Sequence, residues 1–172
     1  RPSAVELYLI KAEAGAGKSV LLRRIAWEAA TQGGGLVLYA VPGHLPEAGV
    51  LQELASATGE RLFLFLDNPA FDPRRVARLI AAARQRKIRL TCIAAERMNE
   101  WNTRCESLEQ FLTQSYALHN LSSSEIEELV DLLSTHRALG ERLSRFSREQ
   151  QVQEFAEQGS AAPNRAACSD AW

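Results

Sequence analysis

Near the amino terminus, the run Ala12-Glu13-Ala14-Gly15-Ala16-Gly17-Lys18-Ser19 has the residue types and order of a phosphate-binding loop. It fits the Walker A pattern, Ala or Gly, any four residues, then Gly-Lys-Ser/Thr. Gly15 and Gly17 permit backbone angles, and a close phosphate approach, that a Cβ would obstruct. Successive N–H groups can then point into one concavity and bind phosphate oxygens. A helix beginning near Lys18 adds the positive end of its dipole. The Lys18 ammonium would reach the β- and γ-phosphates, and the Ser19 hydroxyl would coordinate Mg²⁺. The residues expected to hold the nucleotide are Ala14, Gly15, Ala16, Gly17, Lys18, Ser19 and Val20. Ala12 replaces the more common glycine at the start of the loop, away from the phosphate-contacting run, so its effect is expected to be small.

A second acidic group follows downstream. Leu62-Phe63-Leu64-Phe65-Leu66-Asp67 is an apolar run ending in aspartate, the Walker B form. On a parallel strand, Asp67 would stand at the carboxyl edge of the sheet, where ligands of open α/β sheets bind, and could share Mg²⁺ with Ser19. Asp-Asn-Pro is also good turn chemistry, so Asp67 alone would be equally consistent with a capping residue. Asn68 occupies the position after the aspartate, where many P-loop ATPases carry a catalytic glutamate. A carboxamide can orient a water but cannot take its proton. Slow hydrolysis is therefore expected, or the use of another carboxylate such as Asp72, Glu96 or Glu100. Arg97 ends a further apolar run and could contact the γ-phosphate. The catalytic set is thus Lys18, Asp67, Asn68 and Arg97. Trp101 could stack on a base or anchor its loop, and anchoring is favoured.

These residues need a scaffold, and the hydropathy pattern supplies one. Strand-length apolar runs occur at Val5–Ile10, Leu36–Val41, Leu62–Leu66 and Ile88–Ala95, with a shorter one at Tyr116–Leu118. Between them lie helical periodicities. Lys18–Thr31 places Leu21, Leu22, Ile25, Ala26 and Ala29 on one face. A short helix is expected around Glu47–Ala57, ending at Gly59. Asp72-Pro73 opens another, with Asp as N-cap and Pro in the first position; its inner face is Val76, Leu79, Ile80 and Ala83. Glu96–Gln110 reads as polar and irregular. Ser122 with Glu125 forms a capping box for a helix through Ser134, and a last helix is expected from about Arg137 to Gln158. Unbroken apolar strands alternating with helices indicate an α/β fold, a parallel sheet covered on both faces.

Composition narrows the class. The chain has 172 residues, 46% hydrophobic and 24% charged, which suits a globular domain and excludes extensive disorder. With 20 basic and 21 acidic residues, no field of one sign drives nucleic-acid or membrane binding. Cys92, Cys105 and Cys168 show no C-x-x-C spacing, and an odd count suits no disulfide framework. A reducing, cytoplasmic compartment is the simplest reading. His44, His119 and His136 are far apart and lack metal-ligand spacing. No apolar stretch reaches the roughly 18 residues that a bilayer requires. Basic charge is nearly all arginine, the only lysines being Lys11, Lys18 and Lys87.

The order of motifs, phosphate loop, Asp67 strand, Arg97 strand, then Tyr116-x-Leu118-x-x-Leu121-Ser122-x-x-Glu125, resembles the AAA+-related STAND ATPases. The run Arg97-Met98-Asn99-Glu100-Trp101 resembles bacterial members found in large antiviral defence proteins. In those, the ATPase lies between an N-terminal effector, such as a nuclease or sirtuin-type NADase, and C-terminal sensor repeats. The resemblance covers roughly Val5–Ser134. It implies a five-stranded P-loop three-layer sandwich of order 5-1-4-3-2, with ATP and Mg²⁺ as ligands. It also implies self-association as a nucleotide-dependent switch, and Arg97 as the sensor arginine. The expected organisation is a P-loop core over 1–135, a helical segment over 136–158 that begins a lid, and an aperiodic tail over 159–172. Because the phosphate loop starts so early, these residues are expected to be a piece of a larger multidomain chain. Two other readings stay open: a P-loop small-molecule kinase, whose lid could only be Glu96–Gln110 with Arg97 and Arg104, and a nucleotide-binding interaction module with negligible turnover. The lack of an LSGGQ-like signature argues against an ABC-type ATPase. The lack of an N/T-K-x-D motif argues against a GTPase.

Overall fold

Five parallel strands form the centre of the computed structural model, which describes residues 5–33, 35–41 and 43–160. They are β1 (Val5–Ala12), β2 (Gly35–Ala40), β3 (Arg61–Asp67), β4 (Leu90–Arg97) and β5 (Leu112–Leu118). Their spatial order is β2-β3-β4-β1-β5, the expected 5-1-4-3-2 read from the other edge. β1, β3 and β4 are paired on both sides, and their central residues are apolar on both faces, with polar residues only toward the strand ends.

One face carries α1 (Lys18–Gln32). Ile10, Phe65 and Ala95 from the sheet pack there with Leu22 and Ala26 of the helix. The other face carries α2 (Ala48–Thr58), α3 (Pro73–Gln85), α4 (Met98–Arg104) and α5 (Glu106–Glu109). Leu51, Val76, Leu79, Ile80, Ala83, Trp101, Cys105 and Leu108 from these helices bury Leu7, Leu9, Leu62, Leu64 and Leu90. The α3 start is as expected: Asp72 accepts a hydrogen bond from the Arg75 N–H at 3.0 Å and Pro73 follows it.

The segment expected to be irregular, Glu96–Gln110, is instead mostly helical. Its apolar signal is sparse but periodic, since Trp101, Cys105 and Leu108 recur at i, i+4 and i+7 and all three are buried. A Glu100–Arg104 ion pair at 3.1 Å staples α4 on its outer side.

Two compact units emerge from the contacts. Among the described residues one comprises 5–13 and 17–118, and the other 14–16 and 119–160. In the second, α6 (Ser123–Thr135) starts at the expected capping box, with the Ser122 N–H donating to Glu125 Oε2 at 2.7 Å. The expected single helix over 137–158 is divided. Arg137 takes a left-handed backbone (φ 54°) that breaks the ladder after α6. A single turn, α7 (Gly140–Leu143), follows, and then α8 (Arg148–Ser160). Ser147 and Gln150 cap α8 reciprocally, at 3.0 and 3.3 Å. This Ser-x-x-Gln box was a readable start signal. Arg148 clamps Asp131 of α6 with two bonds of 2.8 Å. The rest of the expected aperiodic tail, 161–172 with Cys168, lies outside the described residues.

Candidate functional site

β1 ends at Ala12 and α1 begins at Lys18, so the phosphate-loop sequence is the connection between them. Both glycines have the backbone their type permits, φ 86° at Gly15 and 79° at Gly17. Gly17 is also the N-cap of α1. It has no side chain to cap the helix, and no acidic residue lies in the first turn. The hydrogen-bond ladder starts with the Leu21 N–H donating to the Gly17 carbonyl at 2.9 Å. The amides of Lys18, Ser19 and Val20 therefore have no acceptor within the helix. An uncapped helix start of this kind can accept an anion.

The sheet register places the other expected residues. Asp67 of β3 pairs with Ala95 of β4, which pairs with Ile10 of β1; two residues on, Arg97 pairs with Ala12. Phe65 and Ala95 point to the α1 face. By strand alternation Asp67 and Arg97 share that face at the carboxyl edge. Lys18, Ser19, Asp67 and Arg97 are thus brought to one face and one end of the sheet. Arg97 is exposed and has no ion-pair partner among the described residues.

Asp67 has an unusual environment. Its Oδ1 is buried and accepts no hydrogen bond, and the neighbouring Tyr39 hydroxyl, also buried, approaches Asp67 and Arg23 without closing a well-formed hydrogen bond to either. Burial raises the Tyr39 phenol above its ordinary value; the Asp67 charge adds to this and Arg23 opposes it. Buried polar atoms are normally satisfied, so an orphaned carboxylate oxygen beside an anion site fits a hard cation or its water. Tyr39 was not anticipated. In sequence it is one aromatic within an apolar run, and only the register, Tyr39 beside Phe65, brings it near Asp67.

Asn68 is exposed and left-handed, φ 55° and ψ 60°. Asparagine tolerates that region better than a longer acidic side chain. The backbone of this turn thus gives a local reason for Asn in place of Glu. The other carboxylates considered as bases are all engaged. Asp72 caps α3, Glu100 pairs with Arg104, and Glu96 is buried with both oxygens accepting backbone N–H groups. Cys92 and Cys105 are buried, and burial pushes both thiols up to about 12, so neither is a nucleophile at neutral pH. Trp101 is 1% exposed, with Lys11 above its ring at 5.9 Å, and it anchors α4 in the core.

A family model described as Novel STAND NTPase 5 matches residues 1–109. The chain belongs to this family. The STAND domain also shares its fold with AAA+ P-loop ATPases of known structure. The Thermotoga maritima RuvB Holliday junction branch migration motor superposes with a TM-score of 0.56 at 17% identity, over 77% of this chain and 44% of that one. The ADP form of Aeropyrum pernix ORC2 gives 0.58 at 13% identity, over 91% and 54%. A katanin structure solved for its self-assembly gives 0.54 at 17%, over 74% and 45%. The chain thus spans about half the length of these proteins. A search of curated proteins finds no match.

Proposed function

We propose that this STAND domain binds ATP–Mg²⁺, hydrolyses it slowly, and uses the nucleotide state to switch self-association within a larger multidomain protein. The observation that carries the reading is the orphaned Asp67 oxygen on the same sheet face as the uncapped start of α1. In this reading the backbone of 14–20 and the Lys18 ammonium bind the phosphates. Ser19 and Asp67 hold the metal, which supplies charge neutralisation at the phosphates. Asn68 orients water, and Arg97 contacts the terminal phosphate.

Slow turnover fits the state of the residues considered as bases. Asn68 cannot accept a proton, and Asp72, Glu96 and Glu100 already accept hydrogen bonds. A kinase is disfavoured because its only candidate lid is held in the core by Trp101, Cys105 and Leu108. Self-association is supported by the katanin fold relative, whose structure concerns self-assembly. A role in antiviral defence rests on the Arg97–Trp101 resemblance. Among the described residues no helix is long and apolar enough to cross a membrane; the cytoplasmic placement we propose rests on the cysteine pattern.

The test is to measure ATP and ADP binding, phosphate release and particle size side by side, with and without Mg²⁺. Mg²⁺-dependent ATP binding with slow phosphate release and a size change is expected. Tight binding with no phosphate release at any protein concentration would favour a non-hydrolysing interaction module. Failure to bind either nucleotide would overturn both.

A further inference from the structure

Glu96 is 2% exposed, and no other carboxylate among the described residues is buried to this degree. It stands between Ala95 and Arg97 on β4, so it points to the sheet face opposite Asp67 and Arg97. Whatever it does for a ligand on the α1 face, it does through other groups. A buried carboxylate is costly unless its oxygens are well satisfied, and here the partners are specific. Oε2 accepts the Ala70 N–H at 2.8 Å, and Oε1 accepts the Arg97 N–H at 2.8 Å.

Ala70 belongs to a short 3₁₀ turn, Pro69–Phe71, directly after the Asp67–Asn68 pair. The first amides of such a turn have no internal acceptor. Pro69 has no N–H, Phe71 donates to the Asn68 carbonyl at 3.1 Å, and no side chain of the turn's own N-cap helps. Glu96 therefore supplies the cap from a neighbouring strand. A second bond, the Asn68 N–H donating to the Ala95 carbonyl at 3.0 Å, joins the same two segments. The last three residues of β4 thus hold the turn that follows β3, and one carboxylate binds that turn and the Arg97 backbone at once. The last residue of the turn, Phe71, is 70% exposed.

We propose that Glu96 is a positioning residue coupling Arg97 to the Asp67–Phe71 turn, so that contact of Arg97 with a terminal phosphate is transmitted to the exposed Phe71. This rests on the reading of Arg97 as the group that contacts that phosphate. Glutamine at 96 replaces one acceptor by an NH₂ that faces a backbone N–H, leaving one of the two bonds. The side chain keeps its size, and the P-loop is untouched.

The readout is the preference for ATP over ADP, measured by calorimetry on the full chain with Mg²⁺ for the unsubstituted protein, Glu96→Gln, Arg97→Ala and the double variant. Arg97→Ala should lower the preference about tenfold, as loss of a charge-assisted contact would. Glu96→Gln should lower it by roughly threefold or more with ADP affinity nearly unchanged, and the double variant should be no worse than Arg97→Ala alone. A merely structural role would weaken ATP and ADP equally; that result, no change at Glu96, or additive effects would overturn the coupling while leaving the Arg97 reading intact. An unchanged preference in Arg97→Ala would remove both. Absence of binding in the unsubstituted protein would remove the proposed function itself. If Glu96→Gln does not fold, hydrogen exchange on the unsubstituted protein decides. Amides of Ala70 and Phe71 should exchange differently with ATP and with ADP bound, and equal exchange would overturn the proposal.

Discussion

The two ends of the sheet treat their polar groups in opposite ways. At the amino end, Arg61 Nη1 donates to Glu6 Oε2 at 3.0 Å and to Thr91 Oγ1 at 2.7 Å, and Thr91 donates in turn to Glu6 at 3.3 Å. The three side chains satisfy one another across β1, β3 and β4. At the carboxyl end, Asp67 Oδ1 and the Tyr39 hydroxyl are buried without partners. The first amides of α1 lack a cap, and Asn68 holds a left-handed backbone. The amino end is arranged for the folded state alone. The carboxyl end leaves polar groups without protein partners, which is what the proposed nucleotide site calls for. Such unsatisfied groups mark functional sites when they converge, as they do here on the α1 face.

The strongest way to break this comparison is at Lys18. Lys18→Ala should weaken ATP binding about 100-fold or more, a loss of roughly 3 kcal/mol or more, with the melting temperature of the free protein essentially unchanged. Calorimetric titration beside a thermal melt measures both; retained ATP affinity would overturn the phosphate-loop assignment. Asp67→Asn is next. It should reduce the Mg²⁺ enhancement of nucleotide binding about tenfold or more. Free-protein stability should stay level or rise by up to about 1 kcal/mol, because one oxygen of this partly buried carboxylate, Oδ1, is buried without a partner. A large destabilisation would instead make Asp67 a structural cap.

How far the sequence announced these features depends on their range. The phosphate loop, the Asp67 strand, the α3 cap and the α6 capping box were legible because each is a local pattern with its own chemistry. The sheet order came from family resemblance and agrees with the observed pairing. α4 and α5 were missed because three apolar residues at helical spacing were diluted by polar neighbours. Tyr39 and the role of Glu96 were not legible in sequence. Tyr39 meets Asp67 only through strand register, and Glu96 meets Ala70, 26 positions away in sequence, only because β4 lies beside β3. Contacts across strands need the fold before they can be seen.

The amino end offers the opposite test. Arg61→Ala removes a half-buried ion pair and a hydrogen bond to Thr91, and leaves Glu6 without that cation. A destabilisation of about 1–3 kcal/mol is expected, with ATP and ADP affinities within about twofold of the unsubstituted protein. Urea denaturation with nucleotide titration separates the two readouts. A fall in nucleotide affinity with no loss of stability would erase the division between the ends.

The smallest effects sharpen the comparison most, because they compare one hydroxyl with another. Thr91→Val removes a hydroxyl with two partners and should cost about 1 kcal/mol. Tyr39→Phe removes a buried hydroxyl with none, and should leave stability at neutral pH within about 0.5 kcal/mol of the starting value, or raise it. Alkaline pH adds a sign. The folded state holds the Tyr39 phenol above its ordinary value of 10.0, through burial and then the Asp67 charge. The neutral phenol is therefore favoured by folding. Whatever stability this contributes is present below the unfolded value and is lost as pH rises through the folded one. Tyr39→Phe has no such loss, so its stability relative to the parent should increase as the pH passes 10 and beyond. Urea denaturation of both proteins at pH 7.5 and again above 10 measures the difference. If Tyr39→Phe instead costs as much as Thr91→Val at neutral pH, the Tyr39 hydroxyl has a partner in solution and the carboxyl end is more complete than its orphaned atoms indicate.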